Sequence, residues 1–176
     1  VTIGDQTWMG ENLRTTTYND GTSITLMESD SGWSNSITGQ YCWYKNDRAT
    51  YGNKYGALYN WYAADRFKLC PDGWRVPNDN EWITLKNYLT NNGYKGTEGL
   101  VLKSKDGWNN GNGTDNYGFK AIPGGVRYSS GFSEIGDFGY WWTSTITCFY
   151  MLYGNSNELW RFGGPESVGY SVRCIK

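Results

Sequence analysis

The last third of the chain holds four short runs rich in aromatic and β-branched residues, "GYWWTST", "FYMLYG", "ELWRFG" and "GYSVRCIK", separated by turn-forming residues. Such runs read as strands of an antiparallel sheet. Within residues 147–164, "TCFYMLYGNSNELWRFGG", two of them flank a polar turn expected at residues 154–157, and both faces are apolar. Strand periodicity pairs Phe149 with Phe162, Met151 with Trp160 and Tyr153 with Glu158 on one face. The other face carries Tyr150, Leu152, Leu159 and Arg161. One face has to pack inward, so the second needs its own explanation.

Upstream the signals are weaker. Residues 1–13 alternate enough for a first strand, and residues 14–54 are Thr, Ser, Asn, Asp and Gly with few apolar anchors, which reads as loop. In "YGALYNWYAADRF", Leu58, Trp61 and Tyr62 recur at helical spacing and predict a first helix. In "VPNDNEWITLKNYL", Asn78 precedes Glu81 by three residues as in a capping box, and Trp82, Leu85 and Leu89 share one face of a second helix. Residues 91–139 are dominated by Gly, Asn and Asp, with Trp108, Tyr117, Phe119 and Phe132 as isolated aromatics. Disordered segments are aromatic-poor, so this reads as a long ordered loop region pinned by single rings.

A chain of 176 residues suits one domain, residues 1–176, whose core is aromatic rather than aliphatic: 10 Trp, 15 Tyr and 6 Phe accompany 24 Gly. A net charge of -1 with scattered Lys and Arg gives no basic footprint, so nucleic acid is not an expected partner. No apolar run reaches the roughly 18 residues of a membrane helix, and residues 1–9 lack the pattern of a signal peptide. The abrupt start on "VTIGDQTWMGENL" leads us to expect the C-terminal part of a longer exported protein.

The chain has no histidine, and Cys42, Cys70, Cys148 and Cys174 form no CxxC pair, which removes the usual zinc patterns and a Ser-His-Asp triad. Glu28 with Asp30, and Asp79 with Glu81, read as a solvated loop and a helix cap rather than a glycosidase pair. "GNGTDNYG" follows no strand and opens no helix, so it is not read as a phosphate loop. The expected cofactor is none, with calcium as the open possibility at the acidic loop residues Asp106, Asp115 and Glu134.

The phrases "YGALYNWYAA", "LCPDGWRVPNDNEW", "GYWWTST" and "GYSVRCIK", taken in this order, resemble the Fibrobacter succinogenes major paralogous domain family from about Gly4 to the end. That resemblance implies an α+β, C-type lectin-like fold: two helices, a twisted antiparallel sheet, a long loop-rich region and adjacent termini. It also implies a structural disulfide between Cys70 in "LCP" and Cys174 in "VRC", with two buried thiols as the alternative. Formylglycine-generating enzymes share the scaffold and are similar at "RVPNDNEW" and "GYSVR", yet their copper site needs two cysteines where this chain has Cys148 alone. An oxidase of that type stays the more distant alternative, and the chain is read as not an enzyme.

Family members carry Asn or Ser at several positions of the outer strand face where this chain has Phe149, Met151, Tyr153, Trp160 and Phe162. The pattern resembles the variable proteins of diversity-generating retroelements, which randomise surface positions near the C-terminus; Cys148, Gly163, Gly164 and Pro165 fit that mixture. We therefore expect a ligand-binding adhesin domain at a cell surface, as on a lipoprotein or pilus tip, with the site at Cys148, Phe149, Met151, Tyr153, Glu158, Trp160, Phe162, Gly163 and Pro165. Its partner would be a protein or glycan on another surface. The alternatives are a calcium-assisted lectin stacking a sugar on Trp160 or Trp108, and a face covered by the loop at residues 91–139 as a second core layer.

Overall fold

The computed structural model describes residues 1–65 and 67–176. The first strand expected over residues 1–13 is instead a tight hairpin, β1 (Thr2–Ile3) against β2 (Gln6–Thr7). Gly4, at φ 59°, makes the reversal in a conformation that suits glycine. The segment read as loop contains β3 (Thr25–Leu26), α1 (Asp30–Ser34), β4 (Gln40–Cys42) and α2 (Asn53–Tyr55). β3 runs parallel to β4, and β4 pairs antiparallel with β5 (Leu58–Tyr59).

The helix expected from Tyr55 onward shrinks to α3 (Trp61–Ala64). Strand pairing wins over helical periodicity here, because Tyr59 exchanges main-chain hydrogen bonds with Tyr170 at 2.8 and 3.0 Å. Asn60 then starts α3 by accepting from Ala63 N. The second expected helix is present as α4 (Asp79–Leu89): Asn78 accepts from Glu81 N, Glu81 accepts from Asn78 N, and Trp82, Leu85 and Leu89 are buried.

Residues 91–139 carry more regular structure than their composition suggests, with α5 (Glu98–Leu102) and an antiparallel pair, β6 (Val126–Tyr128) with β7 (Gly131–Ser133). Trp108 and Phe119 are buried plugs; Tyr117 and Phe132 are half-buried. β8 (Phe138–Trp142), β9 (Cys148–Tyr153) and β10 (Trp160–Gly163) form an antiparallel sheet with β9 in the centre. The fold is thus α+β, as expected, although its helices are short and number five among the described residues instead of two.

The expected fourth strand, "GYSVRCIK", does not join that sheet as a regular ladder. It is a connector: Gly169 bonds Arg127, Tyr170 bonds Tyr59, Ser171 bonds Tyr140 and Trp142, and Ile175 bonds Arg75. Met9 and Leu13 donate to the carbonyls of Cys174 and Val172, and Lys176 N donates to Thr7 O, which brings the two ends of the chain together. On one side of β8 and β9, Trp141, Tyr150 and Leu152 pack with Trp8, Trp82 and Phe119. On the other, Tyr140, Trp142 and Phe149 pack with Tyr59, Tyr170 and Val172. Alternation along the strands divides the core into these two layers.

Cys70 and Cys174 are joined in a disulfide, as the family resemblance implies, while Cys42 and Cys148 are free and buried. The bond spans 104 residues and ties the segment before α4 to the connector. Closing a loop of about 100 residues removes denatured-state entropy worth about 4.7 kcal/mol in the chain-entropy model. We expect a Cys70→Ala/Cys174→Ala variant to lose about 3–5 kcal/mol in urea denaturation; a loss below about 1 kcal/mol would mean that the unfolded chain is already compact there.

Candidate functional site

The hairpin of β9 and β10 adopts the register read from the sequence, with Met151 opposite Trp160, Tyr150 opposite Arg161 and Phe149 opposite Phe162. Its connection is longer than expected. Residues 154–159 lie outside the ladder, and Tyr153 does not pair with Glu158. The cause is competition for main-chain groups: Lys103 Nζ donates to the carbonyls of Tyr153, Gly154 and Ser156 at 3.3, 3.1 and 3.0 Å, and Leu100 N donates to Asn157 O. The loop is thereby strapped to α5 and the residue after it.

Lys103 is buried, and its ammonium also lies 5.2 Å from the centre of the Trp108 ring. Three carbonyls and a ring face stand in for its lost hydration, and burial pulls its pKa below the ordinary lysine value. Gly99 makes the close approach of α5 possible, since a Cβ there would lie 2.6 Å from Glu158 O and 2.8 Å from Leu152 Cδ2. Neither device is visible from periodicity, because both act through backbone contacts with residues about 50 positions away.

The inner face of the hairpin is the one expected. Tyr150, Leu152 and Leu159 are buried, and the Tyr150 ring stacks on Trp82 at 4.9 Å and 11°. At the rim Arg161 makes a two-pronged ion pair with Asp79, with Nε–Oδ1 and Nη2–Oδ2 both at 2.7 Å. Tyr150 OH and Cys148 Sγ also donate to Asp79 Oδ1. Asp79, read as part of a helix cap, therefore anchors β10 to the start of α4.

The outer face is shared between core and surface, which corrects the sequence reading at two positions. Phe149 is only 7% exposed, packed at 4.6 Å on Tyr170 and at 5.9 Å on Tyr140. What covers it is the C-terminal connector and not the loop at residues 91–139. Cys148 is buried on the opposite face, where strand alternation puts it with Tyr150. Both support the surface without forming it. Met151 and Tyr153 are half-buried, Trp160 and Phe162 are 40% and 43% exposed, and Gly163 and Pro165 are exposed. Glu158, half-buried, has left the ladder with the loop.

β8 adds residues that the reading of the hairpin alone missed. Phe138 and Tyr140 lie opposite Tyr153 and Met151, and Phe138 stacks on Tyr153 at 4.4 Å and 7°. From there the rings continue through Tyr140, Phe149, Phe162 and Trp160 at centroid spacings of 5.7 to 6.4 Å. The alternation Phe138, Tyr140, Trp142 was the available signal. Trp108, considered for sugar stacking, is buried with its indole N–H bonded to Ala121 O. Asp115 accepts from Lys120 N, Glu134 accepts from Tyr140 OH, and Asp106 stands exposed on its own loop. A separate open cleft of about 470 Å³ is lined by Tyr18, Tyr62, Ile37 and Phe67, with Asp20 held by Lys68.

The Arg161 guanidinium, more than any other group, holds the Asp79 carboxyl below its ordinary value of 3.8. A carboxyl lowered on folding adds stability that is complete above its unfolded pKa and is lost as pH falls through the folded one. The stability difference between the native chain and Asp79→Asn should therefore be largest at neutral pH and shrink below about pH 4, as measured by urea denaturation at both pH values. Burial, and then the hydrogen bond to Asp79, push the Cys148 thiol up to about 11, and burial raises Cys42 as well. Both should resist iodoacetamide at neutral pH in the folded protein and react in urea, read by mass spectrometry; native labelling of Cys148 would show that the hairpin opens locally.

No curated protein and no solved structure matches the chain. The phrases quoted above nevertheless fall on elements that hold the fold together: "LCP" and "VRC" on the disulfide, "RVPNDNEW" on the start of α4, and "GYSV" on the connector. The family model of the Fibrobacter succinogenes major domain matches residues 1–176, and the chain belongs to that family.

Proposed function

We propose that the chain is a non-enzymatic binding domain of C-type lectin-like architecture, which displays the outer face of its C-terminal hairpin to a ligand outside the cell. The observation that carries this reading is the edge strand β10, all four of whose residues are exposed, with Trp160 and Phe162 neighbouring one another at the end of a run of contacting rings. Rings held in place by a packed sheet offer large contact area at little entropic cost. The adjacent chain ends and the disulfide between the segment before α4 and the connector support the architecture. A disulfide also suits an oxidising compartment, in keeping with display at a cell surface, on a lipoprotein or pilus tip.

The division of labour in the hairpin further supports diversification of this face by a retroelement. Met151, Tyr153, Trp160, Phe162, Gly163 and Pro165 reach the surface, while Tyr150, Leu152 and Leu159 fill the core beneath them. Substitution of the first group leaves the second undisturbed, because alternate strand residues face opposite sides.

Sequencing of this gene across its native population tests both ideas. Variation should concentrate at positions 151, 153, 160, 162, 163 and 165, with Tyr150, Leu152, Leu159 and Lys103 unchanged. Ligands found by screening the folded chain against glycan and peptide arrays should bind about tenfold or more weakly to Trp160→Ala. Equal invariance of both faces, together with ligands indifferent to Trp160→Ala, would refute the proposal.

A further inference from the structure

The main-chain hydrogen bonds of β10 have a direction. Gly164 N donates to Thr147 O, and the antiparallel register continues through Phe162 with Phe149 and Trp160 with Met151. In such a ladder, bonded pairs alternate with pairs whose N–H and C=O groups point away from the partner strand. The N–H and C=O of Arg161 and Gly163 consequently point to the open side of β10. On that side the carbonyl of Leu159 is already taken by Lys86 Nζ at 2.9 Å, so the free edge begins at Arg161.

Natural sheets blunt an open edge with an outward charge, a proline or a bulge. Here Arg161 is turned back onto Asp79, Gly163 has no side chain, and the ladder from Trp160 to Gly163 is regular. The local charge also has a sign. Between positions 128 and 172 the acidic side chains are Glu134, Asp137, Glu158 and Glu166; against them stand Arg161, which Asp79 neutralises, and Lys86, whose ammonium is turned onto the Leu159 carbonyl at the start of the edge. Glu158 and Glu166 bracket β10, and among the described residues neither is in an ion pair. Exposed Trp160 and Phe162 add ring faces that attract cations.

We propose that an extended, basic polypeptide segment adds to β10 as a fourth strand of the sheet. Its main chain bonds Arg161 and Gly163, and its Lys or Arg side chains reach Glu158, Glu166 and the two rings. This specifies the partner class for the surface described under the proposed function and rests on that reading. It differs in one testable respect: recognition passes through the backbone of β10 as well as its side chains.

The test uses the whole chain and fluorescent peptides of about ten residues, alternating Lys with Val, beside a Glu-Val counterpart and a Lys-Val version N-methylated at alternate positions. Fluorescence anisotropy should show binding of the Lys-Val peptide, about tenfold or more weaker binding of the Glu-Val peptide, and loss of binding on N-methylation. Amide hydrogen exchange should slow at Arg161 and Gly163 when the peptide is present. Gly163→Pro removes an outward N–H and leaves the pairs of Phe162 and Gly164 with β9 intact, so it should abolish binding with unchanged near-ultraviolet circular dichroism. N-methylation tests the same point on the unaltered protein, whatever the variant's folding. Binding that survives both changes but falls with Trp160→Ala would overturn strand addition and leave the binding face standing. A concentration-dependent dimer that Gly163→Pro abolishes, with no peptide binding, would assign the edge to a second copy and overturn the proposal as well. Failure of Trp160→Ala to alter any binding would remove the underlying reading too.

Discussion

The connector at residues 169–175 is the constraint on which the rest of the molecule depends. Its main chain bonds β5, β6, β8, the residues after β2 and the residues before α4, and Cys174 fixes it covalently. Strands as short as β5 and β6, of two and three residues, cannot form stable sheets by themselves. Joined to one central segment, they share one core. The cost is topological, since these contacts link the last residues of the chain to nearly every other part, and such closures are entropically unfavourable until they are all made.

Buried cations accompany this arrangement. Arg173, inside the connector, donates to Asn12 Oδ1 and to the carbonyls of Phe119 and Lys120, between the rings of Phe119 and Trp141. Burial pushes its pKa down, to about 9. Arg127 lies between Trp33 and Phe132 and reaches Asp30. Arg173 and, beneath the hairpin loop, Lys103 share one solution, in which carbonyls and ring faces take the place of water, while Arg127 combines ring faces with a carboxylate. Removal of one such cation leaves carbonyls unpaired in the interior, so these positions resist substitution more than their polarity suggests.

The same principle explains how a surface can carry bulky rings without losing order. The hairpin loop is held by Lys103 and Leu100, its inner face by Trp82, and its rim by Asp79 and Arg161. The outer side chains add to this support: Tyr170 of the connector grips Phe149, Trp160 Nε1 donates to Ser156 Oγ, and Tyr153 stacks on Phe138 and accepts from Asn155. The backbone beneath Trp160 and Phe162 is thus held mainly from the inner side of the sheet.

What the sequence determined by itself was whatever depends on near neighbours. α4 was legible in the reciprocal caps of Asn78 and Glu81 and in the spacing of Trp82, Leu85 and Leu89, and the hairpin register in two-residue alternation. Tertiary structure decided where distant backbone competes with local preference. Tyr59 left the expected helix to pair with Tyr170, and residues 154–159 left the ladder to bond Lys103 and α5. It also decided which half of an apolar face stays exposed: Phe149 and Trp160 read alike along the strand, but only Phe149 meets Tyr170. Periodicity states that a side chain points to one side of a sheet; whether anything waits there depends on residues far along the chain.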